Sequence, residues 1–481
     1  MCEKKRLKMI VGRTVEKQKL TDLLKKEEPQ FCVLYGRRRV GKTFLVRESF
    51  NYKFYFQHTG IYKGGIKRQL SAFKESLIAA GLQRCPALSS WEDAFKQLKL
   101  LIENGSGGRK VLFIDELPWM DTHKSNLVSE LENFWNGWAT ARKEKDIVLV
   151  VCGSATSWIT RKLLKNKGGL RGRLTEKIFL APFTLSECEK YSKAAGLSLA
   201  RRDIMELYMV LGGIPYYWSF LKKGYSVAQN IDNMFFANQA QLSDEFEALY
   251  HTIFKNPLGY IKVIEALGKK RQGLNRDEIL SLCKIKDGGT FTTILRELEQ
   301  CGFIRRYVPF GGKENGALYQ LIDNYTLFYF HCIKKNTFGD ENYWQHTCVS
   351  PEHNVWTGLA FERVCFQHIP QLKNALGISG VVTNVCSWRV EKTDEHPGVQ
   401  IDLLIVRGDN VVNLCEMKYY GGEYVITESD AKNLALKASV FKLVTGTKMS
   451  VHLTLVTSYG VVDNAYSSSI QSKISFEDLF A

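Results

Sequence analysis

Apolar segments of strand length recur through the first third of the chain. They lie at 31–35, 110–114 and 147–152. Soon after the first of them, between residues 44 and 50, apolar side chains recur with helical spacing. This part of the chain is therefore predicted to contain buried strands, the first of which leads into a helix.

Other patterns mark the middle and the end of the chain. Three short helical patterns and a hairpin around Gly311 and Gly312 predict a winged helix, with its elements at 260–268, 275–283, 291–301, 305–307 and 318–321. The last 130 or so residues predict the order αβββαβ, with elements at 355–369, 380–390, 399–406, 411–418, 429–441 and 452–457.

Length and composition are those of a multi-domain globular protein. At about 150 residues per domain, the 481 residues have room for about three domains. The net charge of +16 points toward a polyanion such as nucleic acid. The 12 cysteines include no C-x-x-C pair, so neither a zinc site nor a disulfide framework is indicated. They are typical of thiols in a reducing cytosol.

No segment predicts export or membrane insertion. The basic start of the chain is followed by charged sequence rather than by the apolar run of a secretory signal. The longest apolar runs have strand length, far short of a membrane helix. We therefore expect a soluble, cytoplasmic protein without a membrane partner.

A phosphate-binding motif stands between the first strand and its helix. It reads Gly36-Arg37-Arg38-Arg39-Val40-Gly41-Lys42-Thr43, which is G-x-x-x-x-G-K-T. In such a loop the backbone N–H groups and the helix N-terminus surround phosphate oxygens. Lys42 is expected to reach the β- and γ-phosphates, and the Thr43 hydroxyl to ligate Mg²⁺. All eight residues are predicted to bind nucleotide; the weaker alternative is a glycine-rich turn without a ligand.

Two carboxylates, Asp115 and Glu116, follow the second buried strand. In a P-loop enzyme an Asp at this place holds Mg²⁺ through its water shell, and the next Glu orients or deprotonates the attacking water. The pair favours hydrolysis over binding alone. A solvated strand end is the alternative.

Two further features each have two interpretations. Ser154 follows the third strand, where it would lie beside the γ-phosphate or cap a turn. Arg171 and Arg173 stand in a glycine-rich loop that fits an arginine finger, with Arg173 as our candidate, or a solvated basic loop.

These motifs, together with Val11-Gly12-Arg13, Glu16 and Leu211-Gly212-Gly213-Ile214-Pro215, resemble those of the archaeal-type ATPases of the AAA+/STAND kind. The resemblance extends from about residue 10 to residue 240. It implies an α/β fold, namely an αβα sandwich with a parallel sheet, with ATP as the nucleotide. It also implies a helical lid whose 212–215 segment lies near the adenine. The family often has Asn or a similar residue at the first sensor position, where Ser154 stands here.

The predicted helix 291–301 is the candidate for contact with DNA. Its polar side carries Thr292, Thr293, Arg296 and Glu297, residue types that can touch phosphates or base edges in a major groove. The acidic Glu297 and Glu299 argue mildly against this role. Winged helices in ATPases of this kind also serve as lids or protein contacts, so both interpretations stay open.

A hairpin near the end of the chain predicts a second chemical site. Its turn at 407–410 would place Asp402 directly opposite Glu416. Their Cβ atoms would then be about 4.5–5.5 Å apart, where like charges destabilise a sheet. A divalent metal between them would compensate, with Lys418 on the same face to position a water. Glu362, on the preceding helix, either completes the cluster or is a surface carboxylate.

The set Asp402 and Glu416-Met417-Lys418, on the order αβββαβ, resembles the PD-(D/E)xK nuclease superfamily over about residues 350 to 460. The resemblance implies a restriction-endonuclease-like domain that hydrolyses phosphodiesters and leaves a 5′-phosphate. The usual Pro before the Asp is replaced by Gln400-Ile401. Many members keep the fold as a binding module without cleavage.

The predicted domains are an ATPase core, a helical lid, a winged helix and a nuclease-like domain, at 1–185, 186–250, 251–335 and 350–481. We expect ATP and Mg²⁺ as cofactors, and ATP turnover coupled to a nuclease that acts on nucleic acid, with DNA favoured. The alternative is an ATP-switched signalling or scaffold protein whose last domain binds DNA or a partner. A homo-oligomer is required if Arg171 or Arg173 acts on a neighbour's ATP, which the sequence does not decide.

Overall fold

The structure is a computed structural model, and it describes residues 10–165, 168–170, 172–254 and 256–481. These residues form two compact units. The first contains the described residues of 1–182, 214–219 and 249–255, and the second contains those of 183–213, 220–248 and 256–481. No helix among the described residues is long and apolar enough to cross a membrane. The four domain boundaries given above stay predictions.

A parallel five-stranded sheet forms the centre of the first unit. Its strands are β1 (Gln30–Tyr35), β2 (Phe56–Thr59), β3 (Lys110–Asp115), β4 (Ile147–Gly153) and β5 (Glu176–Phe179), in the spatial order β2-β3-β4-β1-β5. β3 and β4 are buried along their whole length, which explains their unbroken apolar runs. Because the strands are parallel, the residues that follow β1, β3 and β4 all lie at one edge of the sheet.

Helices connect these strands and also precede and follow the sheet in the sequence. They are Thr14–Asp22, Lys42–Ser49, Ile66–Ala79, Trp91–Glu103, Leu117–Met120, Leu127–Phe134, Thr156–Ile159 and Pro215–Trp218, with π-helical turns at Trp135–Ala139 and Thr160–Leu164. Helix Trp91–Glu103 is capped at its N-terminus by Ser90, whose hydroxyl accepts a hydrogen bond from the Asp93 N–H. Its apolar face, including Phe95 and Leu98, joins the core of the unit.

The residues between 183 and 254 are mainly helical, as predicted for this stretch, with helices Leu185–Ala194, Arg201–Leu211, Val227–Phe235 and Glu245–Ile253. Three helices and a small sheet follow. The helices are Pro257–Gly268, Arg276–Cys283 and Gly289–Gln300. The sheet pairs β6 (Leu274–Asn275), β8 (Leu318–Leu321) and β7 (Ile304–Tyr307) antiparallel, in that order. These elements lie where a winged helix was predicted, and that assignment stays a prediction.

The last part of the chain contains a mixed five-stranded sheet. Its strands are β9 (Thr383–Val390), β10 (Val399–Arg407), β11 (Val411–Lys418), β12 (Ser450–Thr457) and β13 (Ser472–Ser475), in the order β13-β12-β11-β10-β9. β9, β10 and β11 pair antiparallel, and β11, β12 and β13 pair parallel. The sequence did not predict β13.

Four helices directly precede this sheet in the sequence, and a fifth lies between β11 and β12. They are Asn324–His331, Tyr343–Thr347, Pro351–Gln367, Ile369–Ala375 and Glu428–Thr445. Short 3₁₀ turns lie at Glu314–Gly316, Ile333–Lys335, Ser467–Ser469 and Phe476–Phe480. The single helix predicted at 355–369 is in fact two helices. The break is at His368, and Pro370 in the first turn of the second helix has no N–H with which to continue the hydrogen bonds of the first helix.

Candidate functional sites

The phosphate-binding loop adopts backbone conformations that need glycine. Gly36 has φ 148°, and a Cβ there would lie 2.3 Å from the carbonyl oxygen of Leu180. Gly41 has φ 90° and stands directly before helix Lys42–Ser49. The loop therefore curves between β1 and the helix N-terminus, as the motif predicts.

Lys42 is buried at the centre of this loop. Its Nζ donates to the carbonyl oxygens of Gly36, at 3.0 Å, and Arg37, at 2.9 Å. The ammonium group thus lies over the concave side of the loop, where phosphate oxygens can take the place of the two carbonyls.

Thr43 and Asp115 are in direct contact. The Thr43 hydroxyl donates to Asp115 Oδ2 at 2.8 Å, while Asp115 Oδ1 accepts from the Glu116 N–H at 3.0 Å and from the Cys152 thiol. Burial holds the pKa of Cys152 well above its usual range, so the thiol stays protonated and donates. A hydroxyl beside a carboxylate fits Mg²⁺ held by Thr43 directly and by Asp115 through water.

Glu116 is held by Ser154. Its Oε2 accepts from the Ser154 N–H at 3.1 Å and from the Ser154 hydroxyl at 3.0 Å. Burial raises the pKa of Glu116, while Lys42 and Ser154 act in the opposite direction. The following helix begins at Thr156 after Ala155, whose methyl group cannot cap it. Of the two interpretations of Ser154, a turn cap is therefore not what the structure shows.

Arg173 lies at the opposite edge of the sheet from the phosphate-binding loop. It is exposed in the turn before β5, and the neighbouring Thr175 N–H donates to the carbonyl of Phe31, near the start of β1. The loop follows the other end of β1. The structure thus does not bring Arg173 to the phosphate site of its own chain. Arg171 lies outside the described residues.

The structure adds one aromatic residue near the loop that the sequence did not single out. The Arg39 guanidinium lies 4.2 Å from the ring centroid of Tyr216. Tyr216 directly follows the 212–215 segment, whose place near the adenine stays a prediction. The sequence signal that could have singled it out is its position directly after Leu211-Gly212-Gly213-Ile214-Pro215.

The second candidate site is a cleft beside the hairpin of β10 and β11. Leu403 pairs with Cys415 and Leu404 with Leu414, the register expected from the turn at 407–410. Asp402 and Glu416 occupy the next positions. Together with Lys418 they line a cavity of about 330 Å³, which is also lined by Arg271, Gln400, Asn433 and Lys437.

Glu416 is paired with two lysines. Lys418 Nζ lies 3.0 Å from its Oε1, and Lys437 Nζ donates to its Oε2 at 2.7 Å. Burial alone would raise the pKa of Glu416, but the two lysines outweigh it and the pKa is lowered. Lys437 comes from helix Glu428–Thr445 and was not predicted.

Glu362 and Asp402 share a single cation, Arg271. The Arg271 Nε donates to Glu362 Oε2 at 3.2 Å, and its Nη2 contacts both Glu362 Oε1 and Asp402 Oδ2, the latter at 3.3 Å. Glu362 is 3% exposed, so it is not a surface carboxylate. Burial, followed by the nearby Asp402, raises its pKa to about 7.

Within the described part of the chain, no group of three or more His, Cys, Asp or Glu side chains is arranged to hold a metal ion. Two carboxylates in one cleft nevertheless satisfy the protein's share of an Mg²⁺ site, since Mg²⁺ usually keeps waters and substrate phosphates as its other ligands. Asp402 and Glu416 therefore fit a divalent cation by chemistry and number. Their present partners are protein cations.

Comparison with known proteins concerns the part of the chain that contains the first site. Residues 10–220 match the family model of an ATPase domain found predominantly in Archaea. This segment is therefore similar to an ATPase domain of the archaeal type.

Similarity also extends beyond the ATPase domain. An uncharacterized protein of Methanocaldococcus jannaschii is 25% identical over 413 residues, which cover 84% of this chain and 85% of that protein. Among solved structures, a Walker-type ATPase of Pyrococcus abyssi aligns with TM-score 0.47 and 17% identity, over 66% of this chain and 95% of that one. The ORC2 protein of Aeropyrum pernix, in its ADPNP–ADP complexes, aligns with TM-score 0.43 and 14% identity, over 76% and 99%.

The polar side of helix Gly289–Gln300 is partly exposed, as predicted. Thr292 and Arg296 are exposed, and the Thr292 hydroxyl accepts a hydrogen bond from Arg276 at 2.9 Å. Glu297 instead accepts from the Tyr260 hydroxyl at 2.6 Å. One of the two acidic side chains that argue against DNA contact is thus engaged within the same group of helices, whereas the other, Glu299, is exposed.

Proposed function

We propose that this protein binds and hydrolyses ATP with Mg²⁺, and that ATP turnover controls a metal-dependent, nuclease-like C-terminal domain acting on nucleic acid, with DNA favoured. The observation that carries the nuclease assignment is the cleft in which Asp402, Glu416 and Lys418 meet. The ATPase domain match supports the nucleotide part of the proposal.

At the ATP site each residue has a separate task. Lys42 and the loop N–H groups bind the phosphates, and Thr43 with Asp115 would hold Mg²⁺. Bound Mg²⁺ would supply positive charge to the phosphate oxygens. Glu116 accepts the proton of the attacking water, and Ser154 keeps its carboxylate oriented for that step.

In the cleft, Asp402 and Glu416 would hold a divalent cation, which would supply a Lewis acid for the scissile phosphate. Lys418 lies against the same carboxylate and can place its ammonium beside the phosphate or the attacking water. Lys437 offers a second positive charge from the neighbouring helix. Two lysines on one cleft suit a phosphodiester backbone.

The test is cleavage of labelled single- and double-stranded DNA and RNA by the full chain, with Mg²⁺ or Mn²⁺, with and without ATP. Lys418→Ala should abolish cleavage, and Lys42→Ala should abolish its dependence on ATP. Lys432→Ala is the matched control, because Lys432 is exposed and pairs with Glu428 rather than with a residue of the cleft. Cleavage that survives in Lys418→Ala would contradict the assignment.

A second candidate function is an ATP-switched scaffold whose last domain binds nucleic acid or a partner without cleaving. The observation that favours it is the pairing of Glu362, Asp402 and Glu416 with protein cations. Under this alternative, cleavage occurs with neither metal ion and neither with nor without ATP. ATP hydrolysis and the binding of nucleic acid or of a partner persist.

The position of Arg173 determines on which chain's ATP this arginine could act. Because it lies at the far edge of its own sheet, we infer that it can serve ATP hydrolysis only on a neighbouring copy of the chain. The ATPase rate per molecule should then rise with protein concentration in the wild type, and Arg173→Ala should remove that rise.

A further inference from the structure

The cleft contains a cation from outside the 350–481 segment. Arg271 lies in the turn between helix Pro257–Gly268 and β6, yet its guanidinium contacts Glu362 through two nitrogens and Asp402 through one of them. Planar guanidinium groups match carboxylates in this forked geometry and bind them more strongly than a single ammonium donor does.

The backbone of this turn is fixed from several sides. The Arg271 carbonyl accepts from Gln320 Nε2 at 2.6 Å and from Arg363 Nη2 at 2.7 Å, and the Gln272 carbonyl accepts from the Tyr307 hydroxyl at 2.6 Å. The Arg271 side chain itself is 48% exposed. The guanidinium can therefore leave the carboxylates by rotation of its side chain, without movement of the turn.

A guanidinium and a divalent cation cannot both use the same carboxylate lone pairs at full strength. The contact of Arg271 with Asp402 Oδ2 takes one of the oxygens that a metal between Asp402 and Glu416 needs. The positive charge of the guanidinium also repels a second cation that approaches while the guanidinium is in place.

We propose that Arg271, which holds Asp402 together with Glu362, competes with the divalent cation for Asp402, so that this turn sets the metal affinity of the cleft. The proposal rests on the proposed metal site and gives its regulation. Arg271 holds the carboxylates while the metal is absent, and its side chain turns away from them toward solvent when the metal binds.

The test is Mn²⁺ binding to the full chain without nucleotide, followed by the electron paramagnetic resonance signal of free Mn²⁺. The site in the cleft is identified as the one lost in Asp402→Asn. Arg271→Ala and Arg271→Gln should bind Mn²⁺ there at least about tenfold more tightly than the wild type, which corresponds to about 1.4 kcal/mol. Arg389→Ala should match the wild type, because Arg389 contacts the same turn at Gln272 Oε1 but neither carboxylate.

Unchanged or weaker Mn²⁺ affinity in both Arg271 variants, with wild-type circular dichroism and melting, would overturn the proposal. So would the absence of any Asp402-dependent site in all variants. Cleavage is measured on the same samples and gives a separate answer. Tighter Mn²⁺ binding by the Arg271 variants without cleavage would contradict the nuclease function and support the competition between Arg271 and the metal. Cleavage with unchanged Mn²⁺ affinity in these variants would support the nuclease function and contradict the competition.

Discussion

The contact between Ser154 and Glu116 predicts a specific pH dependence of ATP hydrolysis. The Ser154 hydroxyl donates at 3.0 Å to the carboxylate that we assign as the base. Removal of the hydroxyl in Ser154→Ala takes away a donor that favours the ionised form, so the pKa of Glu116 rises further. The base is then protonated, and inactive, at pH values where the wild type is still active.

The size of the effect follows from the kind of hydrogen bond that is lost. A hydrogen bond to a charged group contributes about 1.5–3 kcal/mol. Since about 1.4 kcal/mol is a factor of ten, kcat on the acid side of the profile should fall by about 10- to 150-fold at a given pH. The backbone N–H of Ser154 still donates at 3.1 Å, so orientation is retained and the alkaline plateau should change little.

The assay is single-turnover hydrolysis of ATP over the acid side of the pH profile and its plateau, at saturating ATP and Mg²⁺. Ser154→Thr keeps the hydroxyl and should resemble the wild type. Thr156→Val is the matched control, because Thr156 is buried in the same turn and no hydrogen bond from its hydroxyl is found among the described residues. It should leave the profile unchanged.

Two outcomes would refute the reasoning. An equal loss of rate in Ser154→Ala at every pH would mean that the hydroxyl acts on the nucleotide rather than through Glu116. An unchanged profile would mean that protonation of Glu116 does not control hydrolysis.

Two further predictions concern Asp115 and the second unit. Cys152→Ala removes one donor to Asp115 Oδ1, so half-maximal ATPase activity should need about fivefold more Mg²⁺, for a hydrogen bond of about 1 kcal/mol. Cys152→Ser should restore the wild-type Mg²⁺ titration, and no difference between the two variants would contradict the contact. Burial lowers the pKa of His368 from 6.5 to about 4, so the unfolded chain binds more protons between these values and stability falls as the pH falls. Urea unfolding of the second unit should lose about 2 kcal/mol between pH 7.5 and pH 5 through this residue. His368→Gln should lack that part of the loss, and an equal pH dependence in the variant would refute it.

The ATP site was predictable from the sequence because its parts follow strand ends. The glycine motif, Asp115 and Ser154 each come directly after a buried strand, and a parallel sheet brings these ends to one edge. Three strands were therefore enough to place all three groups together. The hairpin register was predictable for a similar reason, since a four-residue turn fixes which residues of β10 and β11 are neighbours.

The partners of the second site were not predictable, because nothing local marks them. Arg271 is 91 positions from Glu362 in the chain, and Lys437 is 21 positions from Glu416. Arg271 lies in a turn and Lys437 in a helix, and no pattern in either segment distinguishes the residue from an ordinary surface cation. The strand β13 was missed because its four residues include two serines and a lysine, and its pairing with β12 is not visible in the sequence.

Glu362 shows why a periodic pattern left two interpretations open. The helix Pro351–Gln367 buries consecutive residues around much of its circumference, from Ala360 to Cys365. A helix buried on several sides has no single apolar stripe from which to assign a carboxylate to the core or the surface. Only the fold places Glu362 beside Asp402, where burial and a like charge together raise its pKa.

The balance of charge in the cleft determines which protein cation a metal displaces. The three carboxylates Glu362, Asp402 and Glu416 pair with four protein cations, Arg271, Arg363, Lys418 and Lys437, and a divalent ion adds charge that the cleft must release. Arg271 is 48% exposed, against 39% for Lys418, 16% for Lys437 and 3% for Arg363. The most exposed cation already keeps the most hydration and reaches solvent with the least rearrangement of its neighbours, and so leaves at the lowest cost. Lys418 and Lys437 meanwhile keep Glu416 ionised, as a metal ligand must be. Arg271 is therefore the cation that yields to the metal, and the two lysines are those that remain for the phosphate.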